Sequence, residues 1–115
     1  MNEPLIDMTQ INNLKELFND GFEPFLVTFY EDYEKKEQEL ATAIKGKQID
    51  DVAKIAHSLK GSSLNMGALG LAKLCQKIET ASKNDEETEV NQAFEELKAM
   101  YPVVKAEFNR ISSIH

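Results

Sequence analysis

The stretch His57-Ser-Leu-Lys-Gly-Ser-Ser-Leu-Asn-Met-Gly-Ala-Leu-Gly-Leu-Ala-Lys-Leu-Cys-Gln-Lys-Ile-Glu79 reads as two helical segments folded back on each other at a glycine turn. In the helix that carries His57, the residues Val52, Ile55, Ala56, Leu59, Ser63 and Met66 gather on one side at about 100° per residue, and His57 lies about 150° from their centre. The imidazole is therefore expected to face solvent. Lys60 and Gly61 are its i+3 and i+4 neighbours and share that face, one bringing a cation and the other removing a side chain. Asn65 to Gly70 carry a stop-and-restart signal, with Gly67 the natural left-handed cap. Beyond it Leu71, Leu74, Cys75, Ile78 and Ser82 form a second apolar stripe with Glu79 at its margin. A hairpin centred near Ala68 brings His57 and Glu79 to one level, within reach of each other. A carboxylate on Nδ1–H would fix the tautomer and leave Nε2 free as a nucleophile.

The rest of the chain is helical by the same criterion. Thr9 to Phe18 reads as a short amphipathic helix, with Asp7 or Thr9 as its cap and Asn19-Asp-Gly21 as its stop. Pro24 suits the first turn of a second helix running to roughly Lys45, along which Phe22, Phe25, Leu26, Phe29, Tyr33, Leu40 and Ile44 recur at helical spacing. These aromatics read as core, with Phe22 or Phe25 the alternative candidates for a docking patch beside the first helix. Gly46 ends that helix. Asp50 and Asp51 then meet the positive end of the next helix dipole, a capping role rather than acid–base chemistry. Asn84-Asp-Glu-Glu87 forms an acidic loop and helix start, followed by a long final helix striped by Val90, Phe94, Leu97, Tyr101, Val104, Phe108 and Ile111. Pro102 lies inside it and predicts a kink or break near Met100. Four sizeable helices with short loops, preceded by a short one, imply an all-α fold: an antiparallel up-down four-helix bundle with a short additional N-terminal helix.

A length of 115 residues fits one domain spanning 1–115, and 42% hydrophobic with 29% charged residues is ordinary globular composition. The net charge of −7 argues against nonspecific nucleic-acid binding, which needs lysine and arginine to neutralise phosphates. Its distribution is uneven. Lys54, Lys60, Lys73, Lys77 and Lys83 face the single acid Glu79 between Lys54 and Asn84, so the hairpin is a basic island on an acidic chain. That island is either a set of solvated surface lysines or a surface for an anionic ligand or acidic partner. The lone cysteine, Cys75, sits on the apolar stripe as a small hydrophobe. No signal peptide is recognisable and no stretch approaches the roughly 18 apolar residues of a membrane span, so a cytoplasmic protein without a membrane partner is expected. The starting methionine and the absence of a linker favour a free-standing chain.

The pattern His-x-Leu-Lys-Gly-x-Ser, then Met-Gly, a leucine, a small residue and Ile-Glu, resembles the histidine-containing phosphotransfer (HPt) domain of two-component phosphorelays. The resemblance implies that His57 is the phosphorylated residue and Lys60 the phosphoryl-stabilising cation. It further implies that a partner approaches closely at Gly61, that Glu79 is hydrogen-bonded to the ring, and that Leu64, Gln76 and Lys83 belong to the docking surface. Some family members carry arginine or histidine where this chain has Lys83 and Gln76. The implied partners are the receiver domains of a hybrid sensor kinase and of a response regulator, met by a monomer with no cofactor of its own. Mg²⁺ and most of the catalytic machinery would belong to the receiver. No phosphate-binding Gly-x-x-x-x-Gly-Lys loop and no metal-binding acid cluster near His57 suggests a kinase, so a carrier is expected rather than an enzyme. A zinc site would need three or four ligands, and the only other histidine is His115. As a base for serine, His57 has only the adjacent Ser58 and the poorly placed Ser62. The alternative is a non-phosphorylated helical adaptor with a degenerate HPt fold, and a phosphatase is a distant third.

Overall fold

The computed structural model describes residues 4–113; His115 lies outside them. Among the described residues five α-helices follow one another, α1 (Met8–Phe18), α2 (Phe22–Lys45), α3 (Ile49–Met66), α4 (Leu69–Lys83) and α5 (Glu87–Ser113), with a single 3₁₀ turn at Asn19–Gly21. Helices α2 to α5 form the bundle: α3 packs on α2 and α4, α5 packs on α4 and α2, and α1 lies across α2 and α3. This is the antiparallel up-down arrangement that the four apolar stripes demand, because each stripe can be removed from water only by facing the other three. The core includes Leu26, Tyr33 and Leu40 of α2, Leu59 and Met66 of α3, Leu71 and Ile78 of α4, and Leu97, Val104 and Phe108 of α5, all nearly inaccessible. Tyr33 and Tyr101 stack 4.2 Å apart across α2 and α5, and the Tyr101 hydroxyl donates to Glu34 at 2.7 Å.

Helix α1 begins at Met8, capped by Asp7, whose carboxylate accepts from the Gln10 N–H at 3.2 Å. The Asn19–Gly21 segment does not separate α1 from α2 by a loop; it tightens into the 3₁₀ turn and runs directly into Phe22. Phe22 is buried, so it offers nothing to a docking patch, and the partly buried Phe25 stacks on Phe18 at 4.6 Å. The exposed apolar residues there are Leu17 and Phe18. Pro102 does not break α5, which is continuous from Glu87 to Ser113. The ring removes one N–H from the ladder, while Tyr101, Val104 and Phe108 on either side remain anchored in the core and keep the helix in register. No helix among the described residues is long and apolar enough to cross a membrane.

Three turns close in the same way. At the end of α3 the Gly67 N–H donates to the Leu64 carbonyl at 3.0 Å and the Ala68 N–H to the Ser63 carbonyl at 2.8 Å. The ends of α2 and α4 repeat this pair of bonds, from Lys47 to Ile44 and Gln48 to Ala43, and from Asp85 to Ser82 and Glu86 to Ala81. Such closure needs a left-handed residue, supplied by Gly67 at φ 76°, Lys47 at φ 56° and Asp85 at φ 59°. Gly46, the expected terminator of α2, is not the left-handed one; Lys47 is. The hairpin turn is also braced from outside, since Asp7 N–H donates to the Gly67 carbonyl at 2.7 Å and Gly70 N–H to the Leu5 carbonyl at 3.1 Å.

Glycine substitutions should therefore separate by backbone geometry. Gly67→Ala should destabilise by about 1–2 kcal/mol, because its Cβ would be left-handed and 3.0 Å from the Asp7 carbonyl oxygen. Gly61→Ala should stabilise by about 0.5–1 kcal/mol, its Cβ meeting nothing within 4 Å. Lys47→Gly should raise the melting temperature. Urea unfolding of the three variants checks the order, and a Gly67→Ala chain as stable as wild type would contradict the left-handed turn.

Candidate functional site

The site stands on the facing surfaces of α3 and α4. Because Val52, Ala56, Leu59, Ser63 and Met66 are buried, the helical period turns His57 outward, and its side chain keeps 67% of its accessible surface. The Gly67 turn then sets α4 so that Glu79 comes level with the ring. His57 Nδ1 lies 3.2 Å from one Glu79 carboxylate oxygen and 3.3 Å from the other. With a carboxylate on that side the ring proton belongs on Nδ1, where it donates to Glu79. Nε2 forms no hydrogen bond with any described residue and retains its lone pair on the solvent side.

Glu79, at the margin of the apolar stripe of α4, is itself buried, with 7% of its surface exposed. A buried carboxylate is tolerated only when its oxygens are engaged, and three donors engage this one. Lys60 Nζ donates to one oxygen at 3.3 Å, Lys83 Nζ to the other at 3.1 Å, and His57 reaches both. Burial works against the charge, but the hydrogen bonds from Lys83, His57 and Lys60 outweigh it and hold the carboxyl below the ordinary glutamate range. Glu79 is therefore an anion at neutral pH, shared between two cations.

Lys60 does not lie free beside the histidine. Its ammonium crosses to α4, donating at 2.7 Å to Gln76 Oε1 as well as to Glu79, and its side chain is only 22% exposed. The Gln76 amide is itself oriented, because its Nε2 donates to Thr80 Oγ1 at 2.9 Å. Gln76 and Lys83, expected on the docking surface, thus lie inside the ionic network as well as at its rim. Lys83 sits four residues beyond Glu79, the favoured order for a helical Glu–Lys pair, so that contact could have been read from spacing. Thr80 follows Gln76 at the same spacing, but neither side chain is charged and the spacing alone carries no signal. Gly61 presents open backbone one turn beyond the histidine, and Leu64, 49% exposed, continues that face. Cys75 is fully buried behind the site, with its thiol pushed up to about 12 by burial, then by Glu37.

Among the described residues no group of three or more His, Cys, Asp or Glu side chains could hold a metal ion. What the arrangement offers is an outward nucleophilic nitrogen, an anion fixing the opposite nitrogen, a nearby cation, and bare backbone where a second molecule can approach.

Residues 24–107 match the Hpt domain family. Among solved structures, histidine-containing phosphotransfer protein B (HptB) from Pseudomonas aeruginosa PAO1 superposes with a TM-score of 0.92 at 26% identity, over 99% of both chains. The maize protein ZmHP2 gives 0.82 at 24% identity, over 95% of this chain and 83% of that one. MtHPt2 from Medicago truncatula gives 0.82 at 21%, over 95% and 78%. The two plant likenesses speak for the fold. No curated protein matches the sequence. With the family matched over most of its length and the same fold found across these proteins, the chain belongs to the Hpt domain family, the histidine phosphocarriers of phosphorelays.

Proposed function

We propose that His57 is the phosphoacceptor and that the chain relays a phosphoryl group between receiver domains, taking it from a hybrid sensor kinase and passing it to a response regulator. The observation that supports this reading is the outward His57 ring, fixed at Nδ1 by Glu79 and open at Nε2 above the bare Gly61 backbone. In the forward step the Nε2 lone pair attacks the phosphorus of a receiver's aspartyl phosphate. The N–P bond forms, the P–O bond to the aspartate breaks, and the aspartate leaves as carboxylate. The Nδ1 proton stays on the ring, which becomes cationic, and the Glu79 carboxylate opposes that charge. Return transfer reverses these bonds onto a second receiver's aspartate.

Lys60 supplies the cation for the incoming phosphoryl oxygens, and its present contact with Glu79 puts it on the same carboxylate that holds the ring. Phosphoryl transfer requires the reacting atoms at about 3–3.5 Å and in line, so a receiver's active-site loops must descend onto the α3 surface at Gly61. Leu64 gives that contact an apolar element. Mg²⁺ belongs to the receiver in this reading, as does the machinery that activates the aspartyl phosphate. The carrier acts as a cytoplasmic monomer and turns over nothing by itself.

Incubation with phosphorylated receivers of the source organism should give an acid-labile, alkali-stable label. His57→Gln should abolish it while leaving the bundle folded, since the side chain is exposed and the glutamine amide can still donate to Glu79; persistence of the label would assign it elsewhere. A chain that takes no label from any receiver would instead be a helical adaptor. Gly61→Gln should fold normally and lose transfer, because the added side chain occupies the approach path; wild-type rates would remove the receiver from this face.

Glu79 also carries a pH signature. Its folded pKa lies below the ordinary value, so its contribution to stability is fully present above the unfolded carboxylate pKa of about 4.3 and is lost as pH falls through the folded one. Glu79→Gln should accordingly be less stable than wild type at pH 7, with the difference shrinking in strong acid. Denaturant titrations at both pH values measure it, and a pH-independent difference would contradict the ionic role.

A further inference from the structure

Two demands fall on one lysine. Nζ of Lys60 is held 2.7 Å from Gln76 Oε1 and 3.3 Å from Glu79 Oε1, on the α4 side of the ring. A phosphoryl group on Nε2 would draw the same ammonium toward solvent. Lys60 cannot satisfy both places fully, so the hold exerted by Gln76 opposes the hold exerted by a phosphoryl group.

Gln76 is built for that hold rather than incidentally near it. A free glutamine amide can present either its oxygen or its nitrogen, and only the oxygen attracts an ammonium. Here the Gln76 Nε2 donates to Thr80 Oγ1 at 2.9 Å, which turns Oε1 toward Lys60. The contact is charge-assisted and short, the stronger class of hydrogen bond, and Lys60 is largely withdrawn from water when it makes it. Glu79 is less free to change its hold, because it is buried and also engaged by His57 and Lys83. The adjustable part of the contest is the neutral Gln76–Thr80 pair.

We infer that Gln76, oriented by Thr80, is a positioning residue that sets the lifetime of the phosphohistidine by competing with the phosphoryl group for Lys60. The inference rests on His57 as phosphoacceptor and Lys60 as the cation for the phosphoryl oxygens. In the unphosphorylated chain the pair keeps the ammonium aside, clear of the approach to Nε2. Once the phosphoryl group is in place, each excursion of Lys60 back to Gln76 leaves its oxygens less neutralised. Water can then add to phosphorus with cleavage of the P–Nε2 bond. Weakening the Gln76 hold should lengthen the lifetime.

The test uses the full chain, phosphorylated by a receiver and then freed of it, so that docking makes no contribution to the rate. The readout is the half-life of the label. Gln76→Leu should lengthen it about three- to tenfold, the equivalent of roughly 0.7–1.4 kcal/mol and within the range of a partly exposed hydrogen bond to a charge. Thr80→Val should lengthen it about twofold by releasing the amide, whereas Thr80→Ser, which keeps the hydroxyl, should restore the wild-type value. Both effects should vanish in a Lys60→Met background, because the competition is for that ammonium. Lys60→Met alone should shorten the half-life. If it does so while Gln76→Leu leaves the half-life unchanged, or changes it equally with and without Lys60, the inference is overturned and the role of Lys60 stands. If Lys60→Met leaves the half-life unchanged, the role proposed for Lys60 fails and the inference fails with it.

Discussion

A carboxylate removed from water must be met by donors, and the Glu79 carboxylate is met by three of them drawn from two helices. Leaving it unmatched would cost several kcal/mol in desolvation, so its burial obliges α3 and α4 to present His57, Lys60 and Lys83 together. The functional geometry follows from that obligation. A histidine on an exposed helix face ordinarily rotates and exchanges tautomers, but a ring tied at Nδ1 has its other nitrogen aimed and its proton assigned. The two lysines temper the anion, and the carboxylate still faces the ring whose positive charge grows as Nε2 is phosphorylated.

This arrangement depends on register. One residue of slippage between α3 and α4 would rotate the helix by about 100° and carry Glu79 away from the ring. Gly67 prevents it, holding the left-handed conformation that closes α3 with two backbone bonds and lets α4 restart at Leu69. Residues 5–7 brace the same turn through Leu5 and Asp7, and the Gln10 amide donates to the Asn65 carbonyl at 2.8 Å. The short N-terminal helix therefore serves the site from a distance, by fixing the hairpin that carries it.

Much of this was legible in the sequence, for physical reasons that differ between residues. The outward His57 and its meeting with Glu79 follow from a 3.6-residue period and a single glycine, both of which survive any detail of packing. The depth of Glu79 was not legible, because a helical projection places a residue around an axis without saying how closely the neighbouring helix approaches. Helical spacing puts Lys60 on the same side of α3 as His57, but its long chain crosses to Gln76, a choice that only the facing helix can reveal. Lys47 and Asp85 occupy left-handed turns where glycine would be the natural reading. Pro102 predicts a kink or break because the local rule is strong, yet no break occurs: core residues anchored on both sides carry α5 through it. The brace from Leu5 and Asp7 left no periodic signal at all.

The central claim is that Glu79 fixes the His57 ring with Nε2 as the nucleophile. Its most direct measurement is nitrogen-15 NMR of the His57 ring in chain phosphorylated by a receiver, with phosphorus coupling identifying the nitrogen that carries the phosphoryl group. The account predicts phosphorus on Nε2 and a retained proton on Nδ1. Phosphorus on Nδ1, or a labelled chain with an unmodified His57 ring, would contradict it.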